Sequence, residues 1–422
     1  MTADFSPTRA AMAAILMLGC CIARAGDAAP AAAAVEGAPL WTFGGYGTLG
    51  VVRSNDNQAD FTANVLNPGT AGRSREWSAN VDSRIGMQLG LNLNSSWSAV
   101  LQLVSERTLE NGYTPAVEWA NVKYQATPDL SVRLGRIALP LFLAGDYRKA
   151  GYALPWVRPP VEVYGSIPIS NSDGVDASYR WSTGDVNHVT QVFFGGTTID
   201  ITAQAKAKAR ALIGLSDTTT CGNLTVRASA MTTELSVDIA RELFDGMALF
   251  GPQGVALTER YDVRAKRADV VTIGFNYDPG AWFLMGEIGR MNARSYLGDK
   301  TVAYLSAGYR YGDITPYVGY AVSHANTETG SAGLSLGQLP PPLAATGAQL
   351  NAGLNELLAT IPRQRSVTVG ARWDWRANYA LKLQYDRLTP RQGSNGTFIN
   401  VLPGFRSGRP VGVFSAALDF VF

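Results

Sequence analysis

The side chains of this chain that could act on another molecule are charged rather than nucleophilic. Five fall in one apolar, proline-rich segment, residues 139–172: Asp146, Arg148, Lys149, Arg158 and Glu162. A second set lies on segments of alternating hydropathy: Arg84, Lys123, Arg133, Arg136, Arg310, Arg372 and Lys382, offset by Asp82, Glu106, Glu287, Asp374 and Asp386. Cations facing anions across a narrow space set up a transverse field, which sorts ions and dipoles without making or breaking a bond. Each charge also has a structural alternative. Arg158 can tie its segment to a carboxylate, Glu162 can pair with an arginine, and the others can pair across strands. The acids nearly balance the bases, so the set leans only slightly towards anions.

Hydrolytic chemistry finds little support. It requires a base beside a nucleophile, and the chain has two histidines. His188 adjoins a tight turn, and His324 follows Ser323 on a strand, where neighbours point to opposite faces. Nucleophile-elbow, metal and phosphate-loop motifs are missing from the sequence, so no catalytic residue, metal or cofactor is expected. Cys20 and Cys21 fall in an export leader, which leaves Cys221 and no disulfide within the mature chain.

Rigid segments must hold these charges, and the sequence supplies strands. From Trp41 onward, alternation with period two predicts sixteen, at 41–53, 79–93, 96–106, 116–126, 129–138, 173–183, 187–199, 207–219, 223–235, 267–277, 281–293, 300–311, 314–325, 364–376, 379–389 and 411–422. Tight-turn chemistry such as Thr127-Pro128-Asp129, Thr183-Gly184-Asp185 and Asp278-Pro279-Gly280 alternates with long polar connections. That asymmetry belongs to an all-β, transmembrane antiparallel β-barrel with short periplasmic turns and long extracellular loops. On the last strand Phe414, Ala416, Leu418, Phe420 and Phe422 share one face, and Val413, Ser415, Ala417 and Asp419 share the other. Elsewhere Ile85, Met87 and Leu89 alternate with Arg84 and Gln88, and Val367, Val369, Trp373 and Trp375 with Thr368, Arg372 and Asp374. A charge on the lipid face would cost about 2–4 kcal/mol near the midplane, so the charged face is expected to be inner and wet. Sixteen strands leave an aqueous channel, where eight would leave a side-chain core. Tyr46, Trp97, Trp119, Tyr124, Tyr277, Trp282 and Tyr379, near strand ends, read as anchors at the membrane interface.

Composition agrees. At 17% charged and 10% aromatic residues, the chain is no helical membrane protein. Its one strongly apolar run, residues 10–19, is too short to span a bilayer. Arg9, that run and Ala23-Arg24-Ala25 make residues 1–25 a signal peptide, followed by a flexible Ala/Pro-rich lead-in at 26–40 and a barrel at 41–422. A net charge of +2 gives no case for nucleic acid. A short helix is expected within 351–359.

The order of these parts resembles that of Gram-negative porins. The string Gly135-Arg136, Pro140, Gly151-Tyr152 and Pro155-Trp156-Val157-Arg158-Pro159-Pro160-Val161-Glu162-Val163-Tyr164 looks like the block that a proteobacterial porin-like family carries after its fifth strand. The resemblance covers the mature chain in architecture, and in motif this block and the terminal Phe422. It implies a homotrimer in the cell outer membrane, in contact with its lipid, passing ions and small hydrophilic solutes by diffusion. It also implies that loop 139–172 bends inward as a constriction. A substrate-specific channel for carboxylates, phosphate or sugars is the alternative on the same barrel.

Overall fold

A computed structural model describes residues 39–201 and 205–422, so the expected signal peptide and nearly all of the lead-in lie outside the described residues. Sixteen strands form the wall: β1 Trp41–Ser54, β2 Arg84–Asn92, β3 Trp97–Glu106, β4 Ala116–Gln125, β5 Leu130–Ala138, β6 Asn171–Thr183, β7 Val186–Asp200, β8 Lys206–Cys221, β9 Leu224–Val237, β10 Lys266–Tyr277, β11 Trp282–Asn292, β12 Lys300–Tyr309, β13 Ile314–Ala325, β14 Gln364–Arg376, β15 Tyr379–Pro390 and β16 Val411–Val421. Each pairs antiparallel with its sequence neighbours. β1 closes the ring by pairing with β2, from Trp41↔Leu91 to Thr48↔Arg84, and with β16, from Tyr46↔Val421 to Ser54↔Val413. Hydrocarbon offers the backbone no hydrogen bonds, so only such a closed ladder can cross it with strands.

Period two sets the faces. Val367, Val369, Trp373 and Trp375 on β14 are each about half exposed, whereas Val413, Ser415, Ala417 and Asp419 on β16 are fully buried. At the closing seam the rings of Phe420 and Phe422 lie over Gly47 and Gly45, where a Cβ would come within 2.3 and 2.4 Å of them. The last residue is bonded in both directions, Gly45 N–H to Phe422 O at 2.9 Å and Phe422 N–H to Gly45 O at 3.0 Å. Aromatic pairs line the short-turn end: Trp97 with Tyr124, Tyr277 with Trp282 and Trp375 with Tyr379.

Two expectations need correction. Tyr46 and Trp119 are not interface anchors. Tyr46 has the parity of Thr48, whose hydroxyl reaches the inner-face Asp419 at 2.5 Å. Trp119 shares the inward parity of Asn121 and Lys123 and lies opposite Gln102, and the register shift that follows at Gln102/Leu103 turns Glu118 inward beside it. Both line an internal cavity. The long-loop end also holds more helix than periodicity suggested. α1 Val161–Tyr164 lies on the third long connection, α2 Arg241–Ala248 and α3 Gly251–Tyr261 on the fifth, and α4 Pro341–Ala359 on the seventh. In α4 the prolines that read as loop occupy the first turn, where a missing N–H costs nothing. Phe244, Met247, Tyr261, Leu354, Leu358 and Ile361 bury one another beneath these helices.

The third long connection, residues 139–170, runs back inside the barrel. Leu139, Leu141, Phe142, Leu154, Trp156, Val163 and Tyr164 form one buried cluster with Phe193 (β7), Leu212 (β8), Met231 (β9), Val270 (β10), Met285 (β11) and Tyr304 (β12). Its apolar composition follows from that packing.

Leu89→Lys, on the lipid face of β2, should lower the folded fraction by the equivalent of about 2–4 kcal/mol. Heat-modifiable migration in detergent electrophoresis reports it. A folded fraction equal to wild type would reverse the face assignment.

Candidate functional site

The inward loop brings unpaired carbonyl oxygens and amides into the barrel, and inner-face side chains meet them. Lys382 on β15 donates to the carbonyl oxygens of Gly151, Leu154 and Trp156 at 2.7, 2.7 and 2.9 Å and pairs with Asp419 at 2.8 Å. Neither Lys382 nor Asp419 has any solvent exposure. Arg372 on β14 donates to the carbonyls of Tyr152 and Leu154 at 2.6 and 2.9 Å while paired with Asp374. Glu287 on β11 accepts the Leu143 N–H at 2.8 Å, the Tyr304 hydroxyl at 3.0 Å and the Tyr164 hydroxyl. Trp156 Nε1 donates to Ser306 at 2.9 Å, and Arg227 on β9 donates to Phe142 O at 2.8 Å.

Arg158 is the loop's own contribution. Its guanidinium takes both oxygens of Asp82 at 2.8 and 2.5 Å, Asp386 at 3.2 Å and the Ser415 hydroxyl at 2.6 Å, and only 4% of the residue is exposed. Here the anchoring reading of Arg158 prevails, because two wall carboxylates take up its charge, although it also walls a narrow cavity. Glu162 accepts from Gln364 Nε2 at 2.8 Å and is likewise buried. Burial pushes its carboxyl above the usual range, against the pull of the Gln364 hydrogen bond.

The inner face was expected to be wet wherever it is charged. On β15 and β16 it is not: Lys382, Asp386 and Asp419 are sealed under the loop, and pairing compensates them instead of water.

Open space lies on the other side. A vestibule of about 820 Å³ between the long connections is lined by Thr62, Asn64, Glu356, Thr397 and Asn400, among others. Ala63 and Asn64 also line a narrow cavity of about 60 Å³ bounded by Arg84, Glu106, Arg148 and Lys149. Arg148 and Lys149 in turn border a third cavity of about 160 Å³ with Tyr46, Gln88, Gln102, Glu118 and Trp119. Of the charges singled out in the sequence, Arg84, Arg148, Lys149 and Arg158 therefore meet at the narrow cavity, and Asp146 joins Arg148 and Lys149 at the third. Lys149 bridges Glu106 at 2.7 Å and Glu118 at 2.8 Å, and Arg84 lies 3.8 Å from Glu106. Burial by itself lowers the Lys149 pKa, but the two glutamates outweigh it and hold the pKa above the ordinary value. Arg148 donates to the carbonyls of Ile167 and Pro168 at 3.0 and 2.8 Å.

The remaining candidates are scattered. Lys123 stands opposite Arg133 on the same wall, and Arg133 is paired with Asp176 at 2.5 Å. Asp146 takes Arg227 at 3.4 Å. Arg310 sits at the short-turn end, bound to Asp278 at 2.7 Å, away from the narrow cavity. Arg136 is on the outer face: Ile137 beside it is buried inside the barrel, Leu134 on its own parity is 66% exposed, and it pairs with Asp173 at 2.7 Å. Strand parity from Arg133 carried that signal. Glu118 was missed because the bulge beside Trp119 breaks the alternation. His188 stacks on Trp181, and its Nδ1 lies 3.0 Å from the Thr219 hydroxyl and 3.2 Å from Asp217, while Ser323 donates to Pro362 O and not to His324.

Glu162 generates a pH prediction with a definite sign. A carboxyl whose folded-state pKa is raised makes the folded state bind more protons, so its contribution is lost as pH rises from the ordinary carboxylate range. Glu162→Gln keeps the neutral form. Its melting temperature in detergent, relative to wild type, should therefore be higher at pH 8 than at pH 5. The opposite trend would contradict burial as the dominant influence.

Comparison with known proteins agrees with this architecture. The Gram-negative porin family profile matches residues 11–401. None of the curated proteins searched matches. Among solved structures, the outer membrane channel DcaP of Acinetobacter baumannii is similar at TM-score 0.53 and 9% identity over 90% of this chain and 97% of that one. Salmonella typhi OmpF, in complex with daunomycin, is similar at TM-score 0.53 and 11% identity over 90% and 97%. The anion-selective porin from Comamonas acidovorans is similar at TM-score 0.51 and 15% identity over 90% and 99%. At these identities the likeness is one of fold. With the family match spanning nearly the whole chain, the chain belongs to the Gram-negative porins, outer-membrane barrels that form a water-filled channel for passive diffusion.

Proposed function

We propose that solutes cross this porin between the inward loop and the inner face of β1–β4, with a slight preference for anions. One observation carries the reading: the three cavities share walls in sequence, and the narrowest is walled by charged side chains from both the loop and the barrel. Arg84, Arg148, Lys149 and Arg158 there face Glu106, Glu118 and Asp146, four cations to three carboxylates. Lys123 and the paired Arg133 continue the positive bias towards the short-turn end. Opposite charges on loop and wall orient a dipolar solute as it passes. Residues 139–172 act as the constriction, and the buried anchors fix its position.

A more selective pore on the same route is the second reading, favoured by Tyr46, Trp119 and Tyr147 around the third cavity. Flat aromatic faces with Gln88 and Gln102 beside them would suit a sugar ring. Saturable block of ion current by a sugar would select that reading.

The assembly is proposed to be a homotrimer, as family membership suggests. Arg136 and Asp173 support it, because an ion pair on the outer face beside Leu134 is costly against hydrocarbon and is relieved when another protein surface covers it. Native mass spectrometry in detergent should give three copies; a monomer would overturn this part.

Reversal potentials across planar bilayers in a KCl gradient test the route. Wild type should favour chloride modestly, and Lys149→Glu should move the preference to potassium, with Lys149→Arg close to wild type. An unchanged reversal potential in Lys149→Glu would place the current elsewhere.

A further inference from the structure

Outside the narrow cavity, the first, second and eighth long connections enclose a separate hollow of about 520 Å³. Its wall carries the guanidinium groups of Arg75 and Arg107 together with Thr70, Ser74, Asn80 and Asn111, and no carboxylate lines it. Arg107 spends its hydrogen bonds on the two carbonyl oxygens of Asn111, neutral acceptors that leave its charge uncompensated. Arg75 is exposed and has no carboxylate partner among the described residues. The nearby acid is turned to another use. Fully buried Asp60 accepts from the Ser74 N–H at 2.7 Å, the Ser74 hydroxyl at 2.6 Å and the Asn400 amide at 2.8 Å. It therefore holds two polar lining residues in place from behind. Glu76 is occupied by Arg53 on the far side of its strand.

Two guanidinium groups among hydroxyls and amides, with no competing acid, match the chemistry of an oxyanion. Guanidinium forks bind carboxylate and phosphate through paired, charge-assisted hydrogen bonds. The hollow also has an outlet: Ile399 and Asn400 line both it and the 820 Å³ vestibule. An anion released from Arg75 and Arg107 thus enters the space that leads to Arg84, Arg148 and Lys149.

We propose that this hollow is a docking site for small carboxylate- or phosphate-bearing solutes at the extracellular mouth, which concentrates them ahead of the constriction. Binding itself stands on the hollow alone; only the onward path of the bound anion rests on the route argued above. Because the hollow opens onto the vestibule, the occupant is a soluble anion and not a lipid phosphate.

The test uses the full mature porin in phosphatidylcholine bilayers, with inorganic phosphate added to one side of a KCl solution. Phosphate on the long-loop side should reduce single-channel current in a saturable way, and at lower concentration than phosphate on the other side. Arg75→Gln with Arg107→Gln should raise the half-blocking concentration roughly three- to tenfold, the size expected for two partly solvated ion pairs. Arg75→Gln alone should give a smaller shift. Arg73→Gln, whose side chain donates to Asn400 O without lining the hollow, should leave it unchanged. Equal block from both sides, or an unshifted double variant, overturns the site even where the reversal potential confirms an anion-favouring route. Side-specific block lost in the double variant upholds the site even where the reversal potential shows potassium preferred. Block that appears only after lipopolysaccharide is added would assign the hollow to a lipid phosphate and overturn the soluble-anion reading.

Discussion

A segment that re-enters a barrel must find hydrogen-bond partners for its backbone away from bulk water, and the wall's own ladder has none to spare. In this porin the partners are charged. Lys382 turns its ammonium to three loop carbonyls at once, and Asp419 behind it keeps that charge compensated. Arg158 reverses the arrangement, carrying a cation from the loop to two wall carboxylates. Glu287 serves the loop's amide and hydroxyl donors. Removing one member of such a pair strands the other without water, at about 3–5 kcal/mol. The position of the loop is thereby over-determined along β9–β16.

That asymmetry shapes the channel. Where the anchors are dense, the inner face is dry, and the proposed route leaves it aside. Along β1–β4 the loop reaches the wall chiefly through Lys149, and the cavities lie there. The same residue types thus do different work according to what covers them. Arg372 is a fastener away from the cavities, Arg158 is a fastener that also walls the narrow one, and Arg84 and Lys149 border open space. Charge counted over the whole inner face would mislead, since the sealed pairs contribute little field to the route.

The barrel was legible because two local signals agree along the chain: period-two hydropathy, and alternation of tight turns with long loops. The inward course of residues 139–170 was legible too, since so apolar a segment cannot rest in solvent. The anchoring partners were not. Arg158 meets Asp82, Asp386 and Ser415 at sequence separations of 76 to 257, and no local pattern encodes such pairings. Arg136 could have been placed on the outer face by counting parity from Arg133, but a suspected bulge at Gly135 hid it. Glu118 was obscured by the register shift at Gln102/Leu103, which spoils alternation at the narrow cavity, whereas Trp119 could have been placed inward by counting parity from Lys123. α4 was half seen, because prolines at its start look like a loop until the helix behind them is known.

Accessibility of the two sides of the loop tests the account most directly. In a Cys221→Ser background, Gln88→Cys would place a thiol on the third cavity, and Ser306→Cys would place one beneath Trp156. A charged, water-soluble methanethiosulfonate applied to open channels should cut the current rapidly in the Gln88→Cys protein and leave the Ser306→Cys protein conducting as before. Rapid loss of current at position 306 with none at position 88 would put the water on the wrong side of the loop, and contradict the account.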